Sequence, residues 1–176
     1  SEEKRNALLE AMTDEVAELV LANNDAHGRQ ISRDEIRSKL DIFQFGRAIA
    51  FIERAFDQDR DSLHLPHNDE LLRRAEAGEG LTRPELATLS AWVKMYLQNA
   101  LLEDDPMSIP GADKLLMSYF PECIQRDYPD DIRGHMLAKE IVAMMACTQV
   151  VADAGAAFLP MALETTGASV TEILSA

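Results

Sequence analysis

The sequence predicts an all-α fold, an irregular bundle of about seven to nine helices with no significant sheet. Three observations carry that prediction. Apolar residues recur at spacings of three and four along most of the chain, the period of one helix face. Capping-box signatures stand at residues 32–35, 82–85 and 169–172, each ahead of an apolar run. No stretch alternates polar with apolar residues, no hairpin dipeptide such as Asn-Gly occurs, and glycine (8) and proline (7) are scarce. The helices are uneven in length and follow no fixed repeat, which favours an irregular bundle over a coiled coil or a solenoid.

Each element has its own warrant. Leu8, Leu9, Met12, Val16, Leu19 and Val20 line one face of a first helix, and Asn23-Asn24-Asp25 with Gly28 should break it. A second helix should open at Ser32-Arg33-Asp34-Glu35, where the Ser hydroxyl can accept from the N3 amide while Glu35 reaches back. Its apolar face would be Ile36, Leu40, Phe43, Ala48, Phe51, Ile52 and Phe56, with an end near Asp57. DQDRDSLHLPH reads as a polar loop. Asn68 or Asp69 should cap a short helix carrying Leu71 and Leu72, and Gly78 suits the left-handed position past its end. Thr82-Arg83-Pro84-Glu85 opens a helix carrying Leu86, Leu89, Trp92, Val93, Tyr96, Leu97 and Leu101, and Asp104-Asp105-Pro106 should stop it. Short helices are expected at 115–120 and 122–127, separated by Pro121 and closed by Pro129. A long helix over 131–154 is nearly all apolar after Lys139-Glu140, so it should be buried. Ser169-Val170-Thr171-Glu172 opens a last helix.

Composition sets the wider frame. A chain of 176 residues reads as one helical domain over 1–176, and its 47% apolar content suffices for a core. Folding at this size buries roughly 70% of the extended surface. Acidic residues number 31 against 17 basic ones, a net charge of −14. That balance excludes nucleic acid, whose phosphates need clustered Lys and Arg, and an anionic membrane surface. Two cysteines, Cys123 and Cys147, are too few for a bridge-stapled secreted domain. The charged start SEEKRNALLEAM is no signal peptide, and the longest weakly charged stretch, 141–152, is too short to span a bilayer. The expectation is a cytoplasmic protein. From Gly134 onward the only charges are Lys139, Glu140, Asp153, Glu164 and Glu172. Such a segment is either a contact surface or the core of the bundle.

Chemistry-bearing residues are sparse. His64-Leu65-Pro66-His67 looks like half a metal site, but the proline breaks any helix that would align the imidazoles, and no Cys or carboxylate follows at ligand spacing. Both read as loop histidines. His135 reads as a partly buried polar residue at a helix start, and Cys147 as a small core residue. The Gly78-Glu79-Gly80 turn ahead of Thr82 and Arg83 could attract an anion to a helix N-terminus. It lacks a P-loop lysine and a preceding strand, so a helix–turn–helix connection accounts for it. The pairs Asp14-Glu15, Asp104-Asp105 and Asp130-Asp131 sit at helix ends and lack a pocket to split their pKa values. Met144-Met145 fill core or line an adaptable surface. No nucleophile elbow, dinucleotide glycine fingerprint or H-E-x-x-H helix is present. No catalytic, cofactor-binding or metal-binding residue is assigned. One alternative is a stand-alone helical domain for a small ligand or a protein partner, its pocket lined by methionines with Trp92, Tyr96, Tyr119 and Phe120.

Four runs in order carry a resemblance: KRNALLEAMTDEVAELVLANN, GEGLTRPELATLSAWVK, MSYFPECIQRDYPDDIRGHMLAKEIVA and FLPMALETTGAS. Together they resemble the region following the catalytic domain of the large bacterial NAD-dependent glutamate dehydrogenases. The resemblance covers nearly the whole chain, and L-T-R-P-E-L-A and Y-F-P are its most specific pieces. It implies a C-terminal module of an enzyme that oxidatively deaminates L-glutamate to 2-oxoglutarate and ammonia with NAD. The dinucleotide fold and catalytic lysine of that family would lie upstream, so NAD belongs to the parent and no cofactor to this chain. The implied partners are the catalytic domain of the same chain and, in the parent, further copies in a homo-oligomer. A helix expected to begin within a few residues of Ser1 suggests a piece of a longer protein.

Overall fold

Among the described residues there are eleven α-helices and one 3-10 turn, and no strand. The computed structural model describes residues 2–175, so the reading placed on Ser1 lies outside them. The helix count exceeds expectation because one long segment is split and several single-turn helices sit in the connections.

Helix α1 runs unbroken over Glu2–Leu40, 39 residues or about 58 Å, through both expected breaks. Propensity is a weak prior, and here tertiary contact overrides it. The Asn-Asn-Asp segment is crossed with an Asp25–Arg29 pair one turn apart, and just beyond it Gln30, Ile31, Asp34 and Ser38 are buried. Ser32 caps nothing; its hydroxyl donates to the Gly28 carbonyl one turn back. The break comes at Asp41, whose carboxylate accepts from the Gln44 amide and caps α2 (Ile42–Phe56). That break resets the helical phase. Ile36, Leu40 and Phe43 therefore face solvent, and Ile42, Phe45, Ala48, Ile49 and Ile52 enter the core. The end at Asp57 is as expected.

The expected polar loop instead folds into α3 (Arg60–Leu63), capped by Asp59, and buries Leu63, Leu65 and Pro66. Arg60 is buried with them because Glu53 and the Pro66 carbonyl accept from its guanidinium. Helix α4 (Asn68–Ala77) ends on left-handed Gly78, with His67 rather than Asn68 or Asp69 at its N-cap. Helix α5 (Arg83–Glu103) starts with the expected capping box: Glu85 N–H donates to the Thr82 hydroxyl, and Thr82 N–H donates to Glu85. A 3-10 turn at Pro106–Ser108 leads to α6 (Ala112–Ser118), α7 (Glu122–Asp127) and α8 (Pro129–Arg133).

The long helix expected over 131–154 is two helices. Gly134 ends α8, His135 Nδ1 accepts from the Leu137 amide, and α9 begins only at Ala138, running to Ala154. Helix α10 (Phe158–Thr166), unforeseen in the sequence, follows Gly155, and α11 (Val170–Ser175) opens with the Ser169/Glu172 capping box.

Helices α5 and α9 form the centre and share the most extensive contact. Leu86, Leu89, Val93, Leu97 and Leu101 of α5 meet Ile141, Val142, Ala146, Cys147 and Val151 of α9 in one hydrophobic cluster that reaches from α1 to α11. Much of the charge-poor segment is thus core, although Met136, Leu137 and Phe158 remain exposed. Among the described residues no single helix is long and apolar enough to cross a membrane; α9 and α10 meet that measure only as a pair, bent by 98°.

Candidate functional site

An open apolar groove of about 680 Å³ lies between α1, α5, α9 and residues 118–121. Val16, Leu19 and Val20 form one wall at helical spacing, Met144 and Met145 of α9 the other, and Tyr119 and Phe120 close one side. Helix α1 is held there by Glu15, whose carboxylate accepts from the Cys123 amide.

Polar groups converge at the base. Lys94 of α5 is half-buried, and burial lowers its pKa while the neighbouring Cys147 acts the other way. Among the described residues Lys94 has no hydrogen-bond or ion-pair partner, whereas the other sheltered basic side chains do: Arg60 on Glu53, Arg74 on Glu70 and Glu85. His27, also lining the groove, has its pKa lowered by burial and then by Lys94, and its enclosed Nδ1 has no partner. Burial pushes the Cys147 thiol up to about 12, so it behaves as core rather than nucleophile.

A second polar cluster locks α1 to the end of α9. The buried Asp34 carboxylate accepts from Gln30 Nε2 at 2.6 Å and from the Ala156 amide at 2.9 Å. Gln30 Nε2 also donates to Ser90 of α5 at 3.0 Å. Arg37 donates to the Ala154 carbonyl and Arg33 to that of Ala152, two cations on the negative end of a helix. Gly155, at φ 93°, brings its backbone against Asp34, where a Cβ would also approach Arg37 Nη1 to 2.7 Å.

The residues singled out in the sequence fall elsewhere. His64 is an exposed left-handed cap, and His67 pairs at the surface with Asp61, whose hydrogen bond raises its pKa. Among the described residues no three His, Cys, Asp or Glu side chains are placed to hold a metal. His135 is half-buried against Phe120. The Gly78-Glu79-Gly80 turn connects helices: Leu81 N–H donates to Ser38, and Arg83 donates to Ser32 and Glu35, which ties α5 to α1. The aromatic quartet expected in one pocket is divided. Trp92 and Tyr96 pack on Phe56 and Phe51 of α2, while Tyr119 and Phe120 line the groove.

Sequence reasoning missed Lys94, His27 and Asp34. A signal existed: His27, Gln30, Asp34 and Ser38 form a polar stripe at spacings of three and four, and Lys94 falls between Ser90 and Leu97 on the buried face of α5. Such a stripe ordinarily marks a solvated face; here it is the packed one.

These features define an all-α helical unit that presents an open apolar groove. The family described as Glutamate dehydrogenase, C-terminal matches residues 78–176, and the chain belongs to it. The chain is 34% identical over 176 residues to an NAD-specific glutamate dehydrogenase of Halomonas elongata and 34% over 179 to one of Pseudomonas aeruginosa. Each alignment takes in 100% of this chain and 11% of the relative. An NAD-specific glutamate dehydrogenase of Mycobacterium tuberculosis is 38% identical over 158 residues, 87% of this chain and 9% of that protein. The chain therefore spans about a tenth of the length of the curated relatives it matches.

Proposed function

We propose that residues 1–176 act as a single C-terminal helical domain of an NAD-dependent glutamate dehydrogenase, with a structural rather than catalytic task. The parent would oxidatively deaminate L-glutamate to 2-oxoglutarate and ammonia in the cytoplasm, as a homo-oligomer, with NAD bound by its catalytic domain. This module would pack on that domain or bridge subunits. The observation that carries the reading is the alignment of the entire chain with only 11% of NAD-specific relatives. The disposition of its ionic groups supports it: the buried ones, such as Asp34 and Arg60, join helix to helix or close a loop.

Deletion of residues 1–176 from the full-length enzyme tests this. The expected result is an altered oligomeric mass or lost thermal stability, with kinetics impaired in consequence. An enzyme of normal mass and normal kinetics after deletion would remove the structural role.

A further inference from the structure

We propose that the groove between α1 and α9 seats an amphipathic helix from the remainder of the parent chain, and that an Asp or Glu of that helix pairs with Lys94. The inference rests on the reading of this chain as one module of a longer enzyme.

Three observations favour such an occupant. Val16, Leu19 and Val20 are 42%, 40% and 52% exposed although they line one groove, an apolar surface larger than scattered single side chains. A small-molecule pocket encloses ~70–90% of its ligand. These half-open walls suit a helix laid between two helical ridges, one of them built of adaptable methionines. Charge selects the partner further. In a chain of net charge −14, the half-buried Lys94 has neither a hydrogen bond nor an ion pair among the described residues. A sheltered ammonium next to apolar walls is costly until a carboxylate meets it. Finally, relatives carry about nine-tenths of their length outside the matched region, so the partner is tethered and docking is intramolecular.

Zero-length carbodiimide coupling of the full-length enzyme, followed by peptide mass spectrometry, reads the pair directly. The expected product is an amide between Lys94 and an Asp or Glu outside residues 1–176, flanked by apolar residues at helical spacing. The Lys139–Asp105 pair at 3.0 Å serves as the internal control. Coupling at the control but none at Lys94 overturns the proposal. So does a link joining two differently isotope-labelled chains, which would make the groove an interface between copies. Release of a small carboxylic acid on denaturation, with Lys94 unlinked, would make it a ligand site. Hydrogen exchange adds a second measure: Lys94→Glu in the full-length enzyme should speed exchange over residues 16–27 by about tenfold. Lys94→Met, which keeps the apolar contact, should speed it less, and no change with either variant overturns the proposal. An altered oligomer after deletion of 1–176, combined with an unlinked Lys94, would sink this pairing alone and leave the module's structural role standing.

Discussion

Replacing Asp34 by alanine should be among the most damaging single changes in this chain. The side chain is 1% exposed and serves three donors: Gln30 Nε2 at 2.6 Å, the Ala156 amide at 2.9 Å and Arg37 at 3.5 Å. Arg37 is 45% exposed and keeps its bond to the Ala154 carbonyl, so its loss counts for little. The Ala156 amide and one amide hydrogen of Gln30 are left buried without an acceptor, and each such orphan costs ~1–3 kcal/mol. Asp34→Ala should therefore lose about 2–6 kcal/mol, against a typical total of ~5–15 kcal/mol. Asp34→Asn keeps the volume and one acceptor and should lose about 1–3 kcal/mol. Asp25→Ala is the control: its pair with Arg29 is 65% exposed on both sides, and its removal should cost about 0.5 kcal/mol or less. Urea unfolding at unchanged m separates these values. The reasoning is refuted if Asp34→Ala shifts the midpoint no further than Asp25→Ala does.

Two glycines should respond with opposite signs to alanine. At Gly80 a Cβ would approach the Lys39 backbone amide to 2.8 Å, so Gly80→Ala should destabilise by about 1–3 kcal/mol; Gly28 has open space within α1, so Gly28→Ala should stabilise by about 0.5–1 kcal/mol in thermal unfolding. Leu86→Ala, at a site 0% exposed, should cost about 2–5 kcal/mol, whereas Leu40→Ala, 82% exposed, should stay within about 0.5 kcal/mol; comparable losses would contradict the placement of the α1–α2 break. Burial raises both thiols, Cys147 to about 12, so neither should react with a disulfide reagent at pH 8 faster than the protein opens; rapid labelling of Cys147 would contradict its core position. Hydrogen bonds from Arg73 and then Arg74 hold Glu70 at about 2 against an ordinary 4.5. A folded-state pKa below the unfolded one means that this group's stabilisation is present above about pH 4.5 and is lost as pH falls through about 2, which carboxyl NMR titration would follow.

Local chemistry explains which elements were legible in the chain. The Thr82 and Ser169 boxes, the left-handed Gly78 and the stop at Asp104 all act within one turn of themselves, and all stand where the residues indicate. The same local logic misread Ser32-Arg33-Asp34-Glu35, because that pattern caps a helix only where the chain has already bent. Asp41 sits at the true bend and carries the same chemistry, yet it is flanked by Leu40 and Ile42 and looks like helix interior. The groove was half visible: Tyr119, Phe120 and Met144-Met145 were singled out as candidates, but Trp92 and Tyr96 belong to a different face of α5.

By itself the sequence determined the helical class, the apolar stripes, the acidic balance and the family resemblance, since periodicity, turn residues and composition are properties of neighbours along the chain. Only the tertiary structure decided that α1 is continuous, that its polar stripe of Gln30, Asp34 and Ser38 faces inward, and that Lys94 lies sheltered in an apolar groove with no carboxylate partner among the described residues. Those outcomes depend on residues more than fifty positions apart, such as Gln30 with Ser90 and Asp34 with Ala156. A donor's need for an acceptor is written at one position, whereas the acceptor that meets it is chosen by how the helices pack.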